Sequence, residues 1–139
     1  MSIKKKGLNT VCTHVGELED KQHKGAISPL YMSTSYAFED VDVKRYPRYF
    51  NTPNQEGLCK KIAALEHAEV ALIFGSGMAA VSTSLMAFLR AGDHVVLQQT
   101  LYGGTYNLVN EEFIKYGIEY SFTNGWKAED FEAHIKENT

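Results

Sequence analysis

A glycine-rich stretch, Phe74-Gly75-Ser76-Gly77-Met78-Ala79-Ala80, has the residue types of a phosphate-binding turn. The pattern predicts a turn from a strand into a helix, and the first amides of a helix carry partial positive charge that suits a phosphate dianion. Glycine also lets the backbone approach a ligand closely, because no Cβ stands between them. A tight turn without a ligand is the alternative, and this segment alone favours neither interpretation.

Two other phosphate-binding loops fit this stretch less well. Gly75-x-Gly77-x-x-Ala80 has the spacing of a dinucleotide fingerprint, which also needs an acidic residue near the end of the next strand; this chain has Gln98-Gln99-Thr100 there. A nucleoside-triphosphate loop needs Gly-Lys-Ser/Thr, whereas Met78-Ala79 follows the glycines here. A nicotinamide-dinucleotide domain is therefore the least favoured alternative, and a triphosphate loop is excluded.

Tyr102, followed by Gly103 and Gly104, comes directly after a predicted strand. Ligands gather at the carboxyl ends of strands in open α/β sheets, so we expect Tyr102 near the same edge as the glycine-rich turn. An aromatic ring there can stack on a planar ligand. The alternative is a tyrosine that packs over the sheet edge.

Tyr46-Pro47-Arg48 could bind an anion. Pro47 biases Tyr46 toward an extended conformation, in which residues two apart point the same way. A hydroxyl and a guanidinium would then face one anion, and arginine can bind phosphate through two parallel bonds. The tripeptide alone favours the alternative, a surface arginine beside a half-buried tyrosine.

The elements that must position these residues alternate from Pro53 onward. Thr52-Pro53 predicts a helix cap and first-turn proline, and Leu58, Ile62 and Leu65 share one face of that helix. The further predicted elements are a buried strand at 70–74, a well-buried helix at 78–90 that Ala91-Gly92-Asp93 ends, a strand at 94–98, a helix at 105–116 that Gly117 stops, a strand at 118–122 and a helix at 127–136. This alternation predicts an α/β fold with a mainly parallel sheet. Residues 1–52 show little periodicity, which favours an arm that packs on another surface, such as a second subunit.

Composition sets further bounds on function. The 139 residues are 44% hydrophobic and 22% charged, which is typical of a small globular domain, and the net charge of −3 gives no case for nucleic-acid or membrane binding. Lys4-Lys5-Lys6 is interpreted as a solvated tail, and no apolar segment predicts a secretory signal or a membrane span. The widely separated Cys12 and Cys59 favour a reduced, cytoplasmic protein, and the histidines show no metal-site spacing.

The ordered set of segments resembles one family, the Cys/Met metabolism enzymes that depend on pyridoxal 5'-phosphate (PLP). Its members include cystathionine γ-synthase, cystathionine β- and γ-lyases, methionine γ-lyase and O-acetylhomoserine sulfhydrylase. The similar stretches cover nearly the whole chain: Thr13-His14-Val15-Gly16, Ile27-Ser28-Pro29-Leu30-Tyr31, Ser33-Thr34-Ser35-Tyr36, Tyr46-x-Arg48, Ala64-Leu65-Glu66, Ser76-Gly77-Met78-Ala79-Ala80, Arg90-Ala91-Gly92-Asp93 and Tyr102-Gly103-Gly104-Thr105.

The resemblance implies a fold, an assembly and a set of roles. Residues 1–52 would be an N-terminal arm contacting a neighbouring subunit, and residues 53–139 the first part of a large PLP-binding domain of the aspartate aminotransferase-like fold type I. Gly77 and Met78 would give backbone amides to the cofactor phosphate. Tyr102 would stack on the pyridine ring and take part in proton transfer, as the catalytic residue of this segment. Tyr46 and Arg48 would reach the phosphate in the neighbouring subunit's site, which makes the protein a homo-oligomer, in the family a dimer of dimers.

Several positions depart from the family pattern. Asn51-Thr52-Pro53 stands where Asn-Pro-Thr is usual, Pro47 replaces a serine, and Gly104 replaces the cysteine of methionine γ-lyases, which disfavours that activity. The family's cofactor-holding lysine, ring-nitrogen aspartate, further phosphate-binding Ser/Thr residues and substrate-carboxylate arginine correspond to positions past Thr139.

The expected function is therefore PLP-dependent transsulfuration, with elimination or replacement at Cβ or Cγ of a sulfur-containing amino acid. O-acetylhomoserine sulfhydrylase or methionine γ-lyase activity is the alternative within the family. A different class of function is an inactive chain that acts only as a phosphate binder or an assembly partner. The 139 residues alone are expected to be inactive.

Overall fold

The computed structural model describes residues 7–139, so the predicted solvated tail at Lys4-Lys5-Lys6 lies outside the described residues. The chain forms two compact units, the first ending at Ile73 and the second beginning at Phe74. This division differs from the predicted boundary after residue 52. That boundary separates a subunit-contacting arm from the first part of the cofactor-binding domain, and it stays a prediction. None of the helices within residues 7–139 combines the length and the apolarity needed to cross a bilayer.

The first unit contains helix α1 (Leu8–His14), a short 3-10 turn (Pro47–Tyr49) and helix α2 (Pro53–Leu65). The predicted cap is confirmed: the Thr52 hydroxyl accepts the Gln55 amide, while the Gln55 side chain accepts the Thr52 amide at 3.0 Å. The predicted face of α2 stays largely open, with Leu58 47% and Ile62 40% exposed.

Helix α1, which the sequence did not predict, packs on α2. The Lys61 ammonium donates to the Cys12 carbonyl at 2.9 Å, and Gly16, with φ of 79°, crosses α2 at Gly57. A Cβ on Gly57 would lie 2.6 Å from the Gly16 carbonyl oxygen, so the crossing requires a glycine there. The start of the predicted arm therefore packs within its own unit, and its contact with a neighbouring subunit stays a prediction.

The predicted buried strand at 70–74 is wrong for this structure. Residues 70–74 form no strand, and Val70 and Leu72 are 79% and 72% exposed. The described residues form a single sheet that consists of two other strands, so the run at 70–74 belongs to no sheet. An apolar run predicts burial only where neighbouring strands exist to cover it.

The second unit contains α3 (Gly77–Phe88), β1 (His94–Gln98), α4 (Gly103–Asn107), β2 (Glu119–Thr123) and α5 (Ala128–Glu132). Helix α4 continues through a π turn (Leu108–Glu112) and a 3-10 turn (Phe113–Tyr116) to Gly117, whose φ of 69° ends it as predicted. The two strands are parallel, with His94 opposite Glu119 and Gln98 opposite Thr123, which confirms the predicted parallel pairing. Helix α5 is shorter than the predicted 127–136.

The core of this unit lies between the α4 segment and the sheet. Val109, Phe113 and Ile118 are buried, and they are packed by Leu85, Met86, Leu89, Val95, Leu97, Leu108, Tyr120 and Phe122. The prediction that the second helix is well buried is wrong: no residue of α3 is fully buried, and Phe88 is 85% exposed. Helix α3 also ends at Phe88, before Ala91-Gly92-Asp93, because Leu89 is already extended. Gly92, with φ of 92°, instead shapes the turn into β1.

His94 joins the start of β1 to the last residues of the chain. It is 1% exposed, and its Nδ1 and Nε2 lie 2.8 Å from Thr139 Oγ1 and 2.9 Å from Ser121 Oγ. Nearby, the Lys136 ammonium bonds the Glu119 carboxylate at 3.0 Å. The imidazole is therefore enclosed by hydroxyl partners and a surface ion pair.

Acidification is expected to destabilise the second unit through His94. Burial first, and then the charge of Lys136, lower the pKa of His94 below its ordinary value; Glu119 opposes this shift and His134 adds to it. A histidine with a lowered folded-state pKa gives its full stabilisation above the unfolded pKa of about 6.5 and loses it as pH falls toward the folded value. Urea unfolding at pH 7.5 and 5.5 should show a larger acid loss of stability in the wild type than in His94→Gln. Equal losses in the two proteins would contradict this assignment.

Candidate functional site

The turn that leads into helix α3 presents two amides that have no acceptor among residues 7–139. Ser76 is extended, and its hydroxyl accepts the Ala79 amide at 3.1 Å, which caps α3. The Gly77 and Met78 amides open the helix, and among residues 7–139 neither donates to an acceptor. A Cβ at Gly75 or Gly77 would meet nothing within 4 Å, so the space before these amides is open. This is the arrangement that binds phosphate at helix N-termini.

Tyr102 lies beside this turn, as the sequence predicted. A Cβ on Gly104 would lie 2.8 Å from Tyr102 Cε1 and 3.0 Å from Met78 Sδ, so both side chains meet above the same glycine. The Tyr102 ring is 75% exposed, which disfavours the alternative of a tyrosine packed over the sheet edge. A cysteine at 104 would push against the Tyr102 ring, so a glycine at 104 permits the observed position of that ring.

Thr105 is a site residue that sequence reasoning missed. It is 8% exposed, and its hydroxyl donates a hydrogen bond to Met78 Sδ at 3.8 Å. The only sequence signal was its place in the stretch Tyr102-Gly103-Gly104-Thr105. Its burial could not be predicted from that pattern, because burial depends on how other segments pack against α4.

Tyr46 and Arg48 meet in the first unit. Arg48 Nη1 donates to the Tyr46 hydroxyl oxygen at 2.5 Å, and the guanidinium carbon lies 5.7 Å from the Tyr46 ring centroid. The expected extended tripeptide is only partly correct: Tyr46 is extended, but Arg48 lies in the 3-10 turn Pro47–Tyr49. The two side chains therefore converge through a turn rather than through strand alternation.

Two lysines of the second unit pair with carboxylates. Lys115 donates to the Glu112 carboxylate at 2.8 Å, and this hydrogen bond raises the pKa of Lys115. Lys136 bonds Glu119, and that bond lowers the pKa of the Glu119 carboxyl. A lysine that holds a carbonyl cofactor must react as the neutral amine, so the raised pKa of Lys115 disfavours such a role for that residue.

A family model and similar proteins of known name point to the same family. The family model described as "Cys/Met metabolism PLP-dependent enzyme" matches residues 9–139. L-methionine gamma-lyase of Fusobacterium nucleatum subsp. nucleatum is 35% identical over 150 residues, which covers 100% of this chain and 38% of that protein. Probable cystathionine gamma-synthase of Herpetosiphon aurantiacus is 36% identical over 135 residues, which covers 96% of this chain and 42% of that protein.

The solved structures agree. The crystal structure of metB from Corynebacterium glutamicum matches with a TM-score of 0.88 and 33% identity, over 96% of this chain and 36% of that one. Cystathionine gamma-lyase from Lactobacillus plantarum, solved with L-serine, matches with a TM-score of 0.84 and 26% identity. The chain spans well under half the length of the relatives it matches.

Proposed function

This chain belongs to the Cys/Met metabolism PLP-dependent enzyme family, and on that premise we propose that it forms the first part of the cofactor site of a transsulfuration enzyme. The proposed reaction is elimination or replacement at Cβ or Cγ of a sulfur-containing amino acid. The observation that carries the proposal is the exposed Tyr102 ring beside the open amides of Gly77 and Met78. Relatives named as lyases and synthases of this chemistry support it.

The described residues fit PLP at both of its ends. The Gly77 and Met78 amides, at the positive end of α3, would hold the phosphate dianion. The Tyr102 ring would cover one face of the pyridine ring, and the absence of a Cβ at Gly104 permits the position of the Tyr102 ring. Bound PLP supplies an electron sink for the charge left at Cα when the substrate loses its proton.

Tyr102 would have a second role at its hydroxyl. Because Tyr102 is 75% exposed, its hydroxyl would be accessible to a substrate amino group or Cα proton. A tyrosine hydroxyl can accept or donate a proton in such a position. We therefore assign Tyr102 both to ring stacking and to proton transfer with the substrate.

Tyr46 and Arg48 would bind the same phosphate from the neighbouring subunit. Their contact already joins a hydroxyl to a guanidinium, which is the chemistry that recognises phosphate. The protein would then be a homo-oligomer, with a dimer as the smallest active unit and a dimer of dimers as the proposed assembly, and it would work in the cytoplasm. The arm formed by residues 1–52 would make that subunit contact, which the exposure of Ile27, Leu30 and Met32 supports.

Within the family we favour the cystathionine synthase or lyase type. The glycine at 104, where a cysteine would press on Tyr102, disfavours methionine γ-lyase activity. O-acetylhomoserine sulfhydrylase activity is the next candidate, since such an enzyme of Leptospira meyeri is 34% identical over 141 residues. We further propose that the cofactor-holding lysine is not among these 139 residues, so that the chain alone binds PLP without turnover.

A second candidate function is phosphate binding or assembly without catalysis. The exposed Val70 and Leu72 favour it, because apolar surface of this kind is typical of a segment covered by another part of an assembly. A nicotinamide-binding domain keeps only its glycine spacing in support.

Absorbance spectra of the purified chain with PLP, recorded before and after borohydride and dialysis, test the proposal. We expect reversible PLP binding that inorganic phosphate competes away, and no reducible band after dialysis. A reduced product mapped to one lysine would contradict the proposed absence of that lysine. Binding of NADH in preference to PLP would contradict the cofactor assignment.

A further inference from the structure

Tyr46 and Arg48 together present several hydrogen-bond donors to solvent. Because Arg48 donates to the Tyr46 oxygen, the Tyr46 hydroxyl proton is directed elsewhere, and the guanidinium keeps its other N–H groups. Both side chains are exposed, with Tyr46 36% accessible. An anion is the partner that such a pair complements.

The backbone that joins these two side chains is in a conformation that needs support. Phe50 ends the Pro47–Tyr49 turn with φ of 56°. The left-handed region is unfavourable for a bulky side chain, and such residues persist where surrounding bonds determine the backbone. Backbone bonds from Tyr49 to Tyr46 at 2.9 Å and from Phe50 to Pro47 at 3.2 Å close the turn, and side-chain bonds from Asn51 and Gln55 connect it to its surroundings.

Asn51 closes the loop from the side of Tyr46. Its Oδ1 accepts the Tyr46 amide at 3.0 Å, and its Nδ2 donates to the Lys44 carbonyl at 2.7 Å. Arg45 donates to the Asn51 carbonyl and forms an ion pair with Glu56 of α2 at 3.0 Å. One amide side chain therefore fixes the backbone on both sides of Arg45.

Gln55 ties the same turn to helix α2. Its Nε2 donates to the Pro47 carbonyl at 3.1 Å, while its Oε1 accepts the Thr52 amide at 3.0 Å. Thr52 is 8% exposed, so this connection leads from an exposed turn to a buried helix cap. Gln55 therefore has two roles: its Oε1 completes the cap of α2, and its Nε2 binds the turn.

We propose that Asn51 and Gln55 are positioning residues that hold Tyr46 and Arg48 together as a preformed phosphate-binding pair. This inference rests on the proposed function for the phosphate itself, but the geometry of the turn can be tested separately. Preformed groups bind more tightly because less conformational freedom is lost on binding.

The test compares Asn51→Ala with Asn54→Ala in the 139-residue chain. Asn54 is a matched control, because its side chain also makes two backbone hydrogen bonds, to Tyr31 at 2.8 Å and Pro29 at 2.9 Å, and neither reaches the turn. NMR would record the contact between the Arg48 side chain and the Tyr46 ring, and a titration with inorganic phosphate would give the Kd. A merely structural role predicts similar effects of the two substitutions.

We expect the Arg48–Tyr46 contact to be lost in Asn51→Ala and kept in Asn54→Ala. The phosphate Kd should rise about fivefold in the first and change less than about twofold in the second. Gln55→Glu keeps the acceptor that caps α2 but removes the donor to Pro47, so it should weaken the contact while α2 remains folded; it therefore serves even if Asn51→Ala unfolds.

Retention of the contact in both Asn51→Ala and Gln55→Glu would overturn the inference. If the contact is lost in Asn51→Ala but the wild-type chain binds no phosphate, the positioning role would be supported. The same result would overturn the phosphate role of Tyr46 and Arg48.

Discussion

Replacing Phe113 with alanine is expected to lower the free energy of unfolding of the second unit by about 3–5 kcal/mol. Phe113 is 0% exposed and lies at the centre of the cluster with Val109 and Ile118. Its carbonyl also accepts the Ile118 amide at 2.9 Å, at the turn where the chain enters β2. The substitution would therefore leave a cavity where the helical segment packs against the sheet.

Urea unfolding followed by circular dichroism measures this effect. Ile114→Ala is the matched control, because Ile114 is the next residue and is 68% exposed. We expect that control to change stability by less than about 0.5 kcal/mol, as surface substitutions usually do. Similar losses from both substitutions would mean that Phe113 is not the centre of the core.

Replacing Tyr102 with alanine is expected to weaken PLP binding about five- to tenfold, since a stacked aromatic pair contributes about 1–1.5 kcal/mol. Tyr102→Phe keeps the ring and should bind PLP as the wild type does. Because Tyr102 is 75% exposed, neither change should unfold the chain. A PLP titration followed by absorbance measures the three affinities.

Tyr116→Ala is the control for this experiment. Tyr116 is 57% exposed, and it lies at the end of the same helical segment that is far from Tyr102. Equal affinity in the wild type and Tyr102→Ala would contradict ring stacking. A loss in Tyr102→Phe as large as that in Tyr102→Ala would move the role from the ring to the hydroxyl.

Local signals were the reliable part of the sequence. Thr52-Pro53 and Gln55 define the start of α2 through hydrogen bonds within four residues, and Gly117 ends the α4 segment through its own left-handed backbone. The strand at 94–98 was predicted at its observed bounds. Each of these features depends on residue type and immediate neighbours, which a sequence displays directly.

Burial was where the sequence misled. The run at 70–74 and the helix α3 are both apolar, and both were expected to be buried; in this structure Val70, Leu72 and Phe88 are largely exposed. Apolar composition indicates that a segment favours burial, but the surface that covers it comes from other segments. The described residues do not supply that surface.

The sequence by itself determined the family, the α/β alternation, the caps and the identity of the phosphate-binding candidates. Tertiary structure alone decided that Tyr102 and Met78 meet above Gly104, and that Arg48 reaches the Tyr46 hydroxyl through a turn that Asn51 and Gln55 hold. The physical reason differs for the two contacts. Tyr102 and Met78 are distant in the chain, so their contact depends on how the helices pack. Arg48 is close to Tyr46 in sequence, but its direction depends on the 3-10 turn Pro47–Tyr49, which residue types did not predict.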